Sequence, residues 1–281
     1  MSDSDSGPLI KWWIEDLGLY DTDKEILLSQ SELTDNIINA AQILLSVQFP
    51  SISGFQNTLL GSKLQFKHVS REISSIQIHH TGINFVFCSL MWNTAQDSNA
   101  YNLGETHHWI CSCSRKGAMI VQVMDSLGLF MPLNLSTVLQ IARIYSVPTD
   151  QSFLEIQKLS VQQQHGTLDC GLFCIAFAVE MCLGHNPQYA SFDQKKMREH
   201  LYTCFINGVI TSFPKMLSSE LLPRPSPVHH KVKVYCICRM PEEYDEFMIS
   251  CDVCHQWFHT SCVNVKVDQF PDQWECYTCR N

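Results

Sequence analysis

From Ile37 to Val47 the apolar residues Ile37, Ile38, Ala41, Leu44, Leu45 and Val47 recur at three- and four-residue intervals, the period of a helix with one buried face. Thr34 and Asp35 stand where a helix cap is wanted, and Pro50 closes the run. Beyond it the pattern shortens, and strands are predicted at Leu64–Val69, Ile73–His79, Trp109–Cys113 and Met119–Met124. Helical spacing returns at Ser136–Tyr145, followed by a strand at Phe153–Leu159. A helix is predicted from Asp169 to Leu183, where Gly184 ends it, and another opens at Asp193 and carries Met197, Leu201 and Phe205. A helix, then strands, then helices give an α+β fold rather than a doubly wound sheet.

Residues 1–22 read as an N-terminal tail in which Trp12, Trp13 and Ile14 could dock on a surface. The segment Pro223-Arg224-Pro225-Ser226-Pro227 can neither continue a helix nor join a ladder, so it marks a linker. The expected organisation is therefore a domain over 23–220, a linker over 221–231 and a small domain over 232–281, with no internal repeats.

A chain of 281 residues suits one medium and one small domain, and 45% apolar residues are enough for a real core. The formal charge of −9 argues against a basic surface for nucleic acid and suits basic partners or solubility. The opening MSDSDSGP has no apolar core and is not a secretory signal. The longest apolar run, Leu172 to Val179, is far short of the roughly 20 residues that span a bilayer, so a soluble protein without membrane contact is expected. Of the 14 cysteines, seven lie before residue 205 at irregular spacings and seven after 235 in tight pairs. The scattered set does not read as a disulfide framework, which points to a reducing compartment.

The second set carries chemistry. Its pattern is Cys236-x-Cys238, Cys251-x₂-Cys254, His259-x₂-Cys262 and Cys276-x₂-Cys279. Zinc takes four such ligands in a tetrahedron, with Zn–S about 2.3 Å, and closely paired cysteines reach one ion from a single turn. Four pairs mean two closed structural ions. A block this small cannot bury enough apolar surface to fold alone, so metal binding supplies on the order of 10 kcal/mol per site.

The ligand order and Trp274, ahead of the last cysteine pair, resemble plant-homeodomain (PHD) fingers; a RING-type finger is the runner-up. The resemblance implies that Cys236, Cys238, His259 and Cys262 share one ion and Cys251, Cys254, Cys276 and Cys279 the other. It also implies that the finger reads a histone-tail-like basic peptide, in some members through a methylated lysine held by cation–π attraction. At the family's cage positions stand Tyr235, Met248 and Trp257. The remaining wall falls to Glu242 or Glu243, with Tyr244 as a substitute, and Asp245, Glu246 and Asp252 are acids that suit a basic peptide. The bland alternative is that Trp257 packs in the core and the acids form a solvated loop.

The first domain carries a second constellation, Gln164-His165-Gly166-Thr167-Leu168-Asp169-Cys170-Gly171. A cysteine in the first turn of a helix sits at the positive end of its dipole, which favours the thiolate. Gly171 allows a substrate backbone to come close, and the Gln164 amide can meet a developing oxyanion. A thiol protease further needs a base and a group that orients it. His108-Trp109 opens one predicted strand and Asp125, before Ser126-Leu127, closes the next, so antiparallel pairing would bring them together. Cys111, Cys113, Cys174 and Cys182 read as surface or packing residues, as do His165, His185 and His200.

From about Leu33 to Phe213 the His-Trp, Asp-Ser-Leu and Gln-x₅-Cys-Gly order resembles the ubiquitin-like-protein proteases, the SUMO-protease and adenain-like cysteine peptidases. The resemblance implies a papain-like fold, His108 as base, Asp125 as its orienting group, Cys170 as nucleophile and Gln164 with the Cys170 amide as oxyanion hole. Trp109 would wall a tunnel for a substrate ending in Gly-Gly. The chain departs from the family in two places. Glu32 precedes Leu33-Thr34-Asp35 where the family has a second tunnel tryptophan. Residues Phe85–His107 intervene between Ile76–Asn84 and His108-Trp109, whose motifs normally adjoin.

These features together imply a thiol peptidase acting on a ubiquitin-like modifier or Gly-Gly-terminated substrate, coupled to a PHD finger and placed in the nucleus, with the cytoplasm as a second location. Zinc is the expected cofactor of the finger, none is expected for catalysis, and direct nucleic-acid binding is not expected. The alternative is a chromatin-binding zinc-finger protein whose protease domain is inactive; a third reading is self-processing of a precursor. The pairing of the two modules resembles proteins derived from mobile genetic elements.

Overall fold

A computed structural model of the chain describes residues 11–58, 75–83, 106–114, 120–128, 132–145, 152–216, 224–242 and 246–280. Its centre is a six-stranded sheet of order β3-β4-β5-β6-β7-β8. These strands are Ser53–Gly54, Ser75–Ile83, Thr106–Ser114, Ile120–Met124, Phe153–Leu159 and Val228–Lys233. β4, β5 and β6 pair antiparallel, β6 pairs parallel with β7, and β8 lies antiparallel on the outer edge of β7.

Two apolar layers cover the sheet, and the strands divide their side chains between them by strict alternation. In β5 Trp109, Cys111 and Cys113 enter the layer under helices α2 (Asp35–Gln48), α4 (Cys170–Cys182) and α5 (Gln194–Asn207). Ile110 enters the opposite layer under α3 (Leu135–Tyr145), where Ser112 hydrogen-bonds the buried Tyr145 hydroxyl at 3.0 Å. The placement of Cys111 and Cys113 on one face is as the two-residue spacing requires. α4 is buried along almost its whole length, which explains why its sequence is apolar all round rather than striped. No helix among the described residues is long and apolar enough to cross a membrane.

The periodicities found α2, α3 and α4 to within a residue or so at each end, and the start of α5. Thr34 caps α2 by accepting the Ile37 N–H at 3.4 Å, and Gly184 leaves α4 with a φ of 77°. The expected strand Leu64–Val69 lies outside the described residues.

Three regions differ from the sequence reading. The expected tail is docked from Lys11 onward, with Trp13 and Ile14 on the core as their apolar character allows: Trp12–Ile14 (β1) pairs with Leu19–Tyr20 (β2), Trp13 stacks on Tyr202 at 5.4 Å, and Leu19 is fully buried. Helix α1 (Asp21–Leu28) follows, fastened by Asp23, whose carboxylate accepts from Thr34 Oγ1 at 2.7 Å and Asn36 Nδ2 at 3.2 Å. The end of the expected linker is the strand β8, whose Val232 joins the α3-side core together with Val234 beyond it. Finally, β4 runs to Ile83 and β5 begins at Thr106, the two residues directly paired. The expected insertion 85–107 therefore overlaps the ladder at its end, and its remaining residues lie outside the described ones.

A separate ladder, Met248–Ser250 (β9) with Trp257–His259 (β10), forms the only sheet among the described residues of the small C-terminal unit. A short helix, α6 (Tyr277–Arg280), follows it.

Candidate active site and metal centre

At the edge where β5 and β6 end, residues distant in sequence meet. His108 Nε2 lies 2.8 Å from Asp125 Oδ1, and Cys170 stands near enough to the imidazole to act on its charge. The three come from β5, from the residue after β6 and from the first turn of α4. Burial opposes the charged imidazole, but the hydrogen bond to Asp125 and the nearness of Asp125 and Cys170 outweigh it, so His108 is raised to about 9. Burial likewise works against the Asp125 anion, yet His108, Lys158 and the Leu127 N–H hold this carboxyl below its ordinary range. Burial pushes the Cys111 and Cys174 thiols up, and that of Cys182 up to about 12. These three stay protonated and serve as packing, which leaves Cys170 as the thiol beside the imidazole.

Gln164 is fixed by its neighbours. The Ser126 hydroxyl donates to its Oε1 at 2.7 Å, which sets the amide's orientation, and Nε2 donates to the Gly166 carbonyl at 3.0 Å. An amide nitrogen carries a second N–H besides the one given to Gly166. Asp169, beside Cys170, is clasped by Arg198, whose guanidinium also reaches the carbonyls of Ile26, Leu27 and Ser31. One arginine thus ties the Cys170 turn to the end of α1 and the loop ahead of α2.

Two expected substrate contacts look different in three dimensions. Trp109 is only 3% exposed, and its indole N–H donates to the Leu33 carbonyl at 3.3 Å, so the loop after Glu32 lies against this ring. A Cβ on Gly171 would meet Ile38 Cδ1 at 3.0 Å, Trp109 Cδ1 at 3.1 Å and Leu33 Cβ at 3.3 Å. The glycine lets α4 pack against α2 and Trp109 rather than opening a path for a substrate backbone. Cys170 itself is 1% exposed.

The sequence reading missed Lys158. Its Nζ lies 3.1 Å from Asp125 Oδ2 and 2.9 Å from the Gly128 carbonyl, and the residue is buried. The signal was present: Leu154, Ile156 and Lys158 alternate along β7, so a lysine stands in an apolar stripe. Ser126 was noted within a motif, but its grip on Gln164 appears only in the fold. His165 and His185 are exposed, and His200 bonds the Thr211 carbonyl, as befits packing or surface residues.

In the C-terminal unit the ligand atoms of Cys236, Cys238, His259 and Cys262 lie within 4.8 Å of one another, and so do those of Cys251, Cys254, Cys276 and Cys279. Cys254 and Cys276 sulfurs are 3.8 Å apart. That matches the edge of a tetrahedron with Zn–S near 2.3 Å, about 3.8 Å. The Cys276 N–H points at the Cys251 sulfur at 3.2 Å, an orientation that supports a thiolate ligand. The donor set therefore fits two zinc ions, and the crossed pairing joins the halves of the unit. Cys236, Arg239, His255 and Asn264, the non-glycine residues of positive φ among those described, all sit at the turns of ligand pairs. Such turns cost about 1–2 kcal/mol each, which metal binding offsets. The apolar support is slight: Ile249, Phe258 and Trp274, the last two packed edge to face at 5.3 Å.

A sequence model of the PhD finger domain matches residues 231–281. Residues 231–281 are a PHD finger. Over 50 residues the chain is 54% identical to lysine-specific demethylase phf2 of Danio rerio, which is 18% of this chain and 5% of that protein. It is 48% identical over 48 residues to lysine-specific demethylase 7A of Homo sapiens, 17% of this chain and 5% of the relative. Chromatin remodeling protein SHL of Arabidopsis thaliana is 37% identical over 51 residues, again 17% of this chain, and 22% of its own length. The chain thus spans only a small part of the curated relatives it matches. The rest of the molecule has another likeness. Solved structures of the SUMO protease Ulp1 with the catalytic cysteine oxidized to a sulfonic or a sulfinic acid superpose with a TM-score of 0.51. They cover 70% and 72% of this chain and 88% and 90% of theirs, at 14% and 13% identity, so the likeness is one of fold.

On the PHD finger, Met248 and Trp257 stand at opposite ends of the three-pair β9–β10 ladder. Met248 and Trp257 lie on the same face, since Trp257 pairs with Ser250, and the Cys236 N–H bonds the Trp257 carbonyl at 2.9 Å, bringing Tyr235 alongside. Trp257 is 47% exposed, which sets aside the core-packing alternative for this ring. Lys233 Nζ stands 5.0 Å from the centre of the Tyr235 ring. Asp252 is engaged structurally, accepting the Trp274 N–H at 2.7 Å, and Glu246 accepts from the Ser261 hydroxyl. Glu242 is exposed; Glu243, Tyr244 and Asp245 lie outside the described residues.

Proposed function

We propose that the chain is a thiol peptidase that cleaves after the terminal Gly-Gly of a ubiquitin-like modifier, joined to a PHD finger that binds a basic, histone-tail-like peptide in the nucleus. The observation that carries the enzymatic reading is the buried His108–Asp125 hydrogen bond at 2.8 Å with the buried Cys170 beside the same imidazole. In this reading the Cys170 thiolate attacks the glycine carbonyl carbon and a tetrahedral oxyanion forms. The oxyanion is met by the second Gln164 amide N–H and the Cys170 backbone N–H, one of the donors that a helix start leaves without an intrahelical partner. The His108 imidazolium donates its proton to the departing amine, leaving an acyl-thioester. Neutral His108 then takes a proton from water, whose oxygen attacks the thioester carbonyl and releases the carboxylate and Cys170. Asp125 holds the ring and supports its charge throughout.

Zinc in the finger is structural and takes no part in these steps. Tyr235, Met248 and Trp257 offer two aromatic faces and a thioether to an alkylated ammonium, which favours a methyl-lysine peptide. A second reading, an inactive protease fold on a chromatin-binding protein, is favoured by the closed surroundings of the thiol, with Trp109 sealed against Leu33. A panel of ubiquitin-like proteins bearing a C-terminal electrophile separates the two. The active reading expects one or more probes to attach to wild type and none to Cys170→Ser, while silence across the whole panel favours the inactive alternative.

A further inference from the structure

We propose that Lys158 is a positioning residue of the protease site, gripping Asp125 by the oxygen that His108 does not use and keeping that carboxylate ionised for the Cys170–His108 pair. The inference rests on the protease reading and adds to it a residue that none of the expected motifs contains.

A buried lysine is rare unless it is paired, because an ammonium removed from water is strongly disfavoured. Here the pairing is specific. β6 and β7 run parallel with Val123 opposite Lys158, so Lys158 projects on the same face as Val123 and Asp125. Asp125 is then held at both oxygens: Oδ1 accepts from Leu127 N at 2.8 Å and meets His108 Nε2, and Oδ2 faces Lys158 Nζ at 3.1 Å. The ammonium has a further anchor in the Gly128 carbonyl at 2.9 Å, which the turn reaches because Gly128 takes a φ of 68°. A carboxylate bound from two sides cannot rotate, and Oδ1 stays aimed at the imidazole.

The charges also balance. With Cys170 as thiolate and His108 as imidazolium, Lys158 and His108 offset Cys170 and Asp125. Without Lys158 the buried site would carry a net negative charge, and the carboxylate would take up a proton more readily. The ionisable groups that face this pair come from each neighbouring element: His108 from β5, Cys170 and Cys174 from α4, and His230 from β8. Burial, together with Lys158 and His229, holds His230 below its ordinary range, so at neutral pH it adds no charge.

The test follows the rate of Cys170 alkylation by iodoacetamide against pH in the full chain, read at the Cys170 peptide by mass spectrometry, so no substrate is needed. Wild type should label on a plateau that extends into the acid range, since Asp125 stays ionised. Lys158→Met should move the acid limb to higher pH by one unit or more, labelling about tenfold more slowly at pH 6, while Lys158→Arg restores most of the rate. Thermal melting of each variant reports folding separately, and a structural role alone would lower the melting temperature without moving the acid limb. His108→Ala distinguishes the two levels of the argument. If it flattens the profile while Lys158→Met leaves it in place, Lys158 has no positioning role. If His108→Ala also leaves the profile unchanged, or if wild-type Cys170 is not labelled at any pH, the protease reading falls as well.

Discussion

The two halves of this chain solve the problem of placing reactive side chains in opposite ways. In the PHD finger every metal ligand is paired with a neighbour in sequence, and the fold is a consequence of the ligands finding ions. In the larger part, His108, Asp125, Gln164 and Cys170 have no local relation to one another, and a large apolar core brings them together. The finger's own core is Ile249, Phe258 and Trp274 with its cysteines. A site built by ligation is readable from spacing but depends on an ion; a site built by packing is independent of ions but depends on the whole sheet.

Metal removal probes this contrast with the largest effect. Each zinc contributes on the order of 10 kcal/mol to a domain of this kind, so chelation should unfold residues 235–280 while leaving the larger core intact. Elemental analysis is expected to give two zinc ions per chain, and NMR of the chelated protein should lose the dispersed finger signals only. Retention of a folded finger in Cys254→Ala, with full metal content, would contradict the account of that half.

On the proposed enzymatic reading, substitutions in the packed site come next. Cys170→Ala should abolish turnover, His108→Ala should nearly do so and Asp125→Asn should leave a fraction, with losses of several powers of ten at the first two. None should change zinc content. Capture of a Gly-Gly electrophile at Cys174 or Cys182 instead would show that the wrong thiol has been assigned, against the burial that holds both up.

The halves are nevertheless joined by a strand, not by a free linker. Val232 and Val234 lie in the same core as Ile110, Val121 and Tyr145, and the Val234 N–H bonds the Ser152 carbonyl at 3.0 Å. Ending the chain at Pro227 should therefore destabilise the larger part by roughly 3–6 kcal/mol, the loss of two buried valines. Ending it after Val234 should have little effect. Equal melting temperatures for the two truncations would mean that β8 contributes nothing to the sheet.

What the sequence made legible follows the same division. The finger's ligands were readable because ligation imposes fixed short spacings, and α2 to α5 because each carries an apolar face or run long enough to register. α1 and β8 escaped for physical reasons. α1 is held by Asp23 bonding Thr34 and Asn36, a tertiary link with no periodic trace, and Leu27 is its one buried apolar residue. β8, Val-His-His-Lys-Val-Lys, is a half-exposed edge strand that follows a proline run and passes for linker. Lys158 was legible in principle, as a charge in the apolar stripe of β7, and it lies beside a site rather than in the protein's general surface. Gly171 teaches the reverse lesson: a glycine after a nucleophile reads as access for substrate, yet its missing side chain accommodates Ile38, Trp109 and Leu33.

The smallest expected effect concerns the connection between β4 and β5. The ladder between them ends with Ile83 directly opposite Thr106, and the register is unbroken back to Ser75 opposite Ser114. A two-residue turn joins antiparallel strands at such a pair, most readily with Asn-Gly, whose backbone twist matches that of the strands. Replacing residues 84–105 by Asn-Gly therefore keeps every described pair, including Gly82 with His107 and Thr81 with His108. Shortening the connection reduces the entropy of closing it, worth about 2 kcal/mol on a logarithmic dependence of closure on length. The removal must stop at residue 105: cutting through His107 would draw His108 into the turn, and, on the proposed enzymatic reading, a displacement of about 1 Å at its base can lower a rate a hundredfold. The variant is expected to melt at or slightly above the wild-type temperature and to label Cys170 with the same pH profile. A variant that keeps its zinc but loses the cooperative melt of the larger part would show that residues 84–105 supply core contacts, and that the sheet is not self-sufficient at this end.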